Sequence, residues 1–403
     1  MRVLLLNDSS SPDGGAELQT VRTKEMLTQA GHHVRLFAST VGAPTGAETR
    51  DAECFGTTHP KVRVINQTAN VSAARALRRE MHNFRPDVVH IRMFLTQLSP
   101  LILNVLADVP TVWQVVYYKA ICPRGTKVLP DGSPCTVRSG AVCLRNRCVT
   151  PQSWALDMLQ QRMWRRWAHH IDAVITVSET MRRRLESEGV PVSAVIFNSV
   201  HSRPARPALA DPPIVAYAGR LVPEKGVDLL IEAFARVVTQ VPRARLLIAG
   251  TGPQRNALRC QVARLGLVEQ VEFCGHLDRE SLERRFDSAW VQAVPGRWEE
   301  PLGNVTLEAM MRGTVVVASR LGGPSEVVIE GSTGLLVPSG DAHALAAAVT
   351  GLLSDRARCE KLGRAGRTRA LEHYAEESAV TRLEQVYRSI LLTGAGDPQD
   401  GAR

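Results

Sequence analysis

Short apolar runs bounded by turn residues alternate with amphipathic stretches along this chain, and the series occurs twice. In the first half, "RVLLLN", "HVRLFAS", "DVVHI" and "PTVWQVVYY" carry aliphatic and β-branched residues with few polar interruptions. Such runs predict buried parallel strands covered on both faces. The segments after Gly15 and around Ser72–Phe84 predict helices between them. The second half repeats the pattern with strands "IVAYAG", "ARLLIAG", "VEFCG", "WVQAVPG" and "TVVVAS", and with helices such as "VDLLIEAFARVVTQV" and "NALRCQVARLG". Strand–helix alternation predicts parallel α/β sheets. Two such series predict two doubly wound domains.

The boundary is visible in "NSVHSRPARPALADPP", Asn198 to Pro213, which holds four prolines and no helical period. That is the composition of a semi-rigid linker. The expected division is an N-terminal domain over 1–200, a linker over 201–213 and a C-terminal domain over 214–374. A helix over 375–392 is expected to pack back on the first domain, followed by a flexible tail over 393–403. Two open α/β domains with a proline-rich hinge suggest a ligand in a cleft between them, at the carboxyl ends of the strands.

Composition narrows the function. The chain has 403 residues, 44% of them hydrophobic, which is enough for packed cores. A net charge of +9 suits phosphorylated ligands, anionic lipid or nucleic acid. No Lys/Arg run with interleaved aromatics is present, so nucleic acid is not expected as a partner. No apolar run approaches the ~20 residues of a spanning helix. The opening "MRVLLLND" falls short of a signal-peptide core of roughly 7–15 residues and reads as a first strand. The expected location is cytoplasmic, with the inner face of a membrane as its one variant. Eight cysteines are then expected mainly as thiols.

Three stretches carry candidate chemistry. In "AYAGRLVPEKGVDLL", Arg220 and Lys225 follow a strand and precede a helix, where two cations suit a diphosphate. Solvated surface cations fit the same positions. In "RWEEPLGNVTLEAM", Glu300 precedes a turn at Gly303, and Glu308 lies about one turn into the helix that follows. Glycine permits close backbone approach, and a helix start favours an anion. Glu308 would reach ligand hydroxyls. The plain alternative makes Glu300 a helix-start charge and Glu308 a solvated face residue. "SPDGGAELQTV" is a third glycine turn after a strand, and it is not the dinucleotide fingerprint.

Taken together, these elements resemble the retaining glycosyltransferases of family 4, with the GT-B fold of two Rossmann-like domains facing across a cleft. The resemblance rests on "GGAE" at 14–17, "DVVH" at 87–90, "VSE" at 177–179, "GRLVPEKG" at 219–226, "EPLGNVTLEA" at 300–309, "GGPSEV" at 322–327 and "GSTGLLVP" at 331–338. It covers nearly the whole chain. It implies that the second domain binds a nucleotide-diphosphate sugar, with Arg220 and Lys225 on the diphosphate, Glu308 on the ribose and Glu300 on the sugar. Backbone at Leu302, Gly303, Asn304 and Val305 would cradle the distal phosphate and sugar. Gly15 would close from the first domain, and the base would lie near "CGHL" at 274–277. No metal cofactor is expected to be required.

The pattern also breaks. Members of this subtype often read "TLHDYWLLCP" where this chain reads "QVVYYKAICP", so Val116 stands at their His and Tyr117 at their Asp. Another family His appears here as Arg92, leaving His90 and Arg92 as acceptor-side candidates. The insertion at about 122–148 holds Cys122, Cys135, Cys143 and Cys148, separated by twelve, seven and four residues. It reads either as a structural metal site or as thiols in a lid. In "WALDMLQQRMWRRWAHH", Leu156, Leu159, Met163, Trp164 and Trp167 share one helical face, with Arg162, Arg165, Arg166 and His169 mostly opposite. This helix could touch an anionic membrane or dock on the core.

The expected function is retaining, metal-independent transfer from a nucleotide-diphosphate sugar to a glycan, lipid-linked or small-molecule acceptor, in surface polysaccharide or natural-product biosynthesis. The alternative is a catalytically impaired nucleotide-sugar-binding partner subunit.

Overall fold

The structure is a computed structural model that describes residues 1–10, 14–41 and 50–394; the last of the expected tail, from 395 on, lies outside the described residues. The chain forms two compact units. The first comprises Met1–Pro130, Thr136–Asn198 and the C-terminal segment from Glu377, and the second Asp131–Cys135 and Ser199–Glu376.

The first unit is built on seven parallel strands: β1 (Arg2–Ser9), β2 (His33–Ser39), β3 (Ala52–Cys54), β4 (Val88–Ile91), β5 (Thr111–Val115), β6 (Ala173–Thr176) and β7 (Ala194–Val195). Their spatial order is β3-β2-β1-β4-β5-β6-β7. Six consecutive residues of β1 and all five of β5 are buried, as strands covered on both faces require. The helices are α1 (Gly15–Gln29), α2 (Pro60–Thr68), α3 (Val71–Phe84), α4 (Ala141–Arg145), α5 (Pro151–Arg166) and α6 (Glu179–Ser187).

The second unit has six parallel strands: β8 (Ile214–Ala218), β9 (Arg245–Ala249), β10 (Val271–Gly275), β11 (Val291–Val294), β12 (Val315–Ser319) and β13 (Gly334–Val337). They are ordered β10-β9-β8-β11-β12-β13. Their helices are α7 (Val227–Gln240), α8 (Arg255–Arg264), α9 (Arg279–Phe286), α10 (Asn304–Arg312), α11 (Pro324–Val327), α12 (Ala342–Leu353) and α13 (Arg356–His373). The order reverses between β8 and β11, which is where doubly wound sheets open a ligand crevice.

The proline-rich segment is bound along the second unit. Arg206 donates from its backbone N–H to Arg312 O at 2.9 Å and from Nε to Gly313 O at 3.1 Å. Arg203 pairs with Asp287 at 2.8 Å. The last helix, α14 (Glu376–Gly394), lays Leu383, Tyr387 and Ile390 into the core of the first unit beside Val3, Leu5 and Val112.

That packing decides the fate of His90. Its side chain is fully buried, with Nδ1 2.6 Å from the Tyr387 hydroxyl. His90 is therefore a core residue, which corrects its expected place on the acceptor side. Alternation along β4 points it at α14, a partner distant in sequence. Burial, and then the Arg92 guanidinium, lower the imidazole to about 3. A histidine ionising near pH 6.5 when unfolded then takes up its proton only in the unfolded chain across that window. Its contribution to stability is complete above about pH 6.5 and declines as pH falls toward 3, by up to ~1.4 kcal/mol per pH unit. The His90→Gln variant is expected to lose less stability on acidification than the parent. Urea melts at several pH values check this, and parallel pH dependence in both proteins would refute it.

Candidate active site

At the reversal point of the second sheet, two loops leave adjacent strand ends. The backbone ladder continues past those ends, with Gly219 N–H donating to Ala249 O at 3.0 Å and Gly250 N–H to Gly275 O at 2.7 Å. The turn at 274–277, expected near the base, thus lies on the same edge as Arg220.

After β8 the chain passes Arg220 and a short 3-10 turn at Pro223–Lys225 before Gly226 leads into α7. Arg220 is held loosely by Glu224 at 3.8 Å, and its side chain is 66% exposed. Below it, the Tyr217 hydroxyl donates to Arg220 O at 3.1 Å. Burial and then the nearby Glu300 carboxylate push that phenol up, so it stays a neutral donor.

After β11 the loop folds against the first. Arg297 donates its N–H to Glu224 O at 2.8 Å and forms an ion pair with Asp228 at 2.6 Å. Lys225 Nζ pairs with the Glu300 carboxylate and lies 5.7 Å from the Trp298 ring centroid. The structure therefore brings Lys225 and Glu300 together, although 75 residues separate them.

Gly303 turns this loop into α10. Its φ is +79°, and an added Cβ would stand 2.9 Å from Pro324 Cγ, so only glycine fits without strain. Gly323 lets the following loop lie against Leu302: its N–H donates to Glu300 O at 2.8 Å, and an added Cβ would meet Leu302 Cα at 2.3 Å. Leu302 is buried, while Asn304, Val305 and Glu308 are half-buried. Glu308 stands one turn into the helix.

The starts of α7 and α10 lack the capping side chain that six other helices carry. Helices α3, α5, α6, α9, α12 and α13 are capped by an Asn, Thr, Ser or Asp side chain. Helices α7 and α10 begin after Gly226 and Gly303, with no capping side chain. Neither glycine offers a side chain to the first N–H groups, and the Glu300 carboxylate lies beside Gly303 at the positive end of the α10 dipole.

Two residues that support this site were not singled out in the sequence. Gln292, on β11, donates to Val305 O at 3.1 Å and accepts from Arg312 Nη2 at 2.9 Å, fixing both ends of α10. A lone glutamine inside the apolar "WVQAV" was the available signal. Trp298 backs Lys225, and only its neighbour Glu299-Glu300 pair marked it.

In the first unit, Gly15 is the exposed first residue of α1. Arg92 is buried at the end of β4, where Nη1 donates to Gln114 Oε1 at 2.6 Å and Thr23 Oγ1 at 3.3 Å. Its Nε and Nη2 have no hydrogen-bond partner among the described residues. Val116 is buried just beyond β5, so the position of the family histidine is apolar here.

Among the described residues, no group of three or more His, Cys, Asp or Glu side chains could hold a metal ion. The four clustered cysteines are thus not gathered as a ligand set, which corrects that reading of the insertion. Buried lysines anchor its backbone. Lys127 pairs with Glu188 at 2.7 Å and donates to Val137 O at 2.8 Å, while Lys119, 3.5 Å from Asp157, donates to Pro123 O at 2.5 Å.

Two doubly wound parallel domains, the second with cations and a glycine-started helix at its reversal point, define the GT-B class. A family model described as "Glycosyltransferase Family 4" matches residues 13–203, and one described as "Glycosyl transferases group 1" matches residues 201–369. A glycogen synthase of Mycobacterium tuberculosis is 31% identical over 312 residues, covering 76% of this chain and 69% of that protein. A phosphatidyl-myo-inositol mannosyltransferase of Mycobacterium leprae is 33% identical, over 64% of this chain and 70% of that protein. Among solved structures, sucrose-phosphate synthase from Thermosynechococcus elongatus superposes with a TM-score of 0.72 at 23% identity, covering 98% of this chain and 100% of that one. Anabaena Alr3699/HepE in complex with UDP-glucose gives 0.69 at 20% identity, over 96% and 100%. The chain belongs to glycosyltransferase family 4 and is a nucleotide-sugar-dependent glycosyltransferase.

Proposed function

We propose that this chain is a retaining, metal-independent transferase that moves a sugar from a nucleotide-diphosphate sugar to a glycan, lipid-linked or small-molecule acceptor. The observation that carries this reading is the convergence of Arg220, Lys225 and the start of α10 at the reversal point of the second sheet.

Transfer breaks the bond from the anomeric carbon to a phosphate oxygen, and the electron pair leaves with the nucleoside diphosphate. Negative charge then grows on the diphosphate. Arg220, Lys225 and the α10 dipole stabilise it, which is the work a divalent metal does elsewhere. Glu308 accepts from the ribose hydroxyls and Glu300 contacts the transferred sugar. Backbone at Leu302, Gly303, Asn304 and Val305 holds the distal phosphate. The acceptor oxygen attacks from the face the nucleotide leaves, so configuration is kept. Arg92, with unused donors, remains the acceptor-side candidate.

The test follows product stereochemistry by NMR, with and without EDTA. Retained configuration at an unchanged rate in EDTA is the expected result. An inverted product would remove the retaining mechanism, and loss of activity in EDTA would remove metal independence.

A further inference from the structure

The buried face of α5 is not the apolar one that its sequence suggests. Asp157, Gln160, Gln161 and Trp164 face inward. The three polar side chains are used in hydrogen bonds: Asp157 accepts from Gln67 at 2.9 Å, Gln160 donates to Leu95 O at 2.9 Å, and Gln161 donates to Lys119 O at 2.7 Å. Leu159 consequently points outward and is 47% exposed. On a helical period, Arg162 and Arg166 flank it, and both are exposed.

Helix α2 packs beside α5, with Thr68 Oγ1 3.4 Å from Leu156 O. Its outward stripe is also apolar, with Val62 42% and Ile65 61% exposed beside exposed Lys61. Phe55 and Val71 adjoin it and are also about half exposed; their segments are joined by Asn70 Nδ2 donating to Phe55 O at 2.9 Å. Five of the eleven large apolar side chains exposed among the described residues thus belong to this one region. Clustering on that scale marks an interaction surface, unlike isolated exposed residues.

Charge selects the partner. Helix α2 has no acidic residue, α3 has only the buried Glu80, and α5 has only the buried Asp157. The exposed cations on these helices include Lys61, Arg63, Arg75, Arg162 and Arg166, with no exposed carboxylate among them. Exposed apolar side chains on helices whose only exposed charges are cations suit the interface of an anionic bilayer, where acyl boundary and headgroups meet both needs.

We propose that the exposed face of α2 and α5 docks the protein on an anionic phospholipid surface. No helix among the described residues is long and apolar enough to cross a membrane, so this contact is peripheral. The side chains involved lie outside the proposed donor site, so docking and donor binding fail separately.

The experiment is sedimentation of the full chain with phosphatidylcholine vesicles, with and without phosphatidylglycerol. Pelleting is expected only with the anionic vesicles, and it should weaken as salt is raised. The variants Lys61→Glu/Arg63→Glu and Ile65→Asp/Leu159→Asp should each need about tenfold more lipid or worse, while binding nucleotide like the parent. Absence of pelleting, equal pelleting with neutral vesicles, or unaltered binding by both variants would overturn the proposal. Self-association in sedimentation velocity that Ile65→Asp/Leu159→Asp abolishes, without vesicle binding, would also overturn it and assign the face to a second copy.

Discussion

The Glu308→Ala variant is expected to bind nucleoside diphosphate about a hundredfold more weakly than the parent. Two hydroxyl hydrogen bonds to one carboxylate, each worth roughly 1.5 kcal/mol or more, amount to a loss of ~3 kcal/mol, which is about two decades in affinity. The position supports this. Glu308 is half-buried, one turn into a helix whose start carries no capping side chain. Its backbone is held by Gln292 through Val305 and Arg312. The Gln292 contacts to Val305 and Arg312 remain in the truncated variant. Calorimetric titration reads the loss directly, and parental affinity would remove Glu308 from the nucleotide site.

Glu300→Gln should behave in the opposite way, with nucleotide binding kept or strengthened and transfer reduced by about 10²- to 10³-fold. Glu300 pairs with Lys225, with the two side chains 14% and 16% exposed. That pair holds the carboxylate beside the cation assigned to the diphosphate. Replacing it with an amide of similar shape leaves Lys225 to the proposed phosphate site and removes the charge proposed to face the sugar. Steady-state kinetics against nucleotide titration separate the two effects. A fall in nucleotide affinity as steep as that of Glu308→Ala would place Glu300 on the nucleotide side. If both variants bind nucleotide like the parent, the donor site as assigned is wrong.

Much of the second domain was legible because its signals are local. Glycine in "EPLGNVTLEA" marks a turn into a helix, and the apolar runs around it mark strands, so the loops could be placed at strand ends before any geometry was known. The Lys225–Glu300 ion pair was not legible, because it depends on two loops converging across strands β8 and β11. The same limit explains the errors in the first unit. His90 looks like a strand-end polar residue until Tyr387, far along the chain on α14, closes over it. The apolar stripe of α5 was assigned to one face by periodicity alone, but the buried face is polar because its neighbours offer carbonyls and amides. Cysteine spacing left a metal site and free thiols both open, while the insertion is anchored by Lys127 on Glu188 and by Lys119 donating to Pro123 O, partners that spacing does not reveal.

The most direct measurement is titration of the protein, free of metal, with UDP-, GDP-, ADP- and dTDP-sugars, reading both binding and slow donor hydrolysis. The account predicts that one donor binds, is slowly hydrolysed, and is lost in Glu308→Ala. Failure of every nucleotide sugar to bind would contradict it.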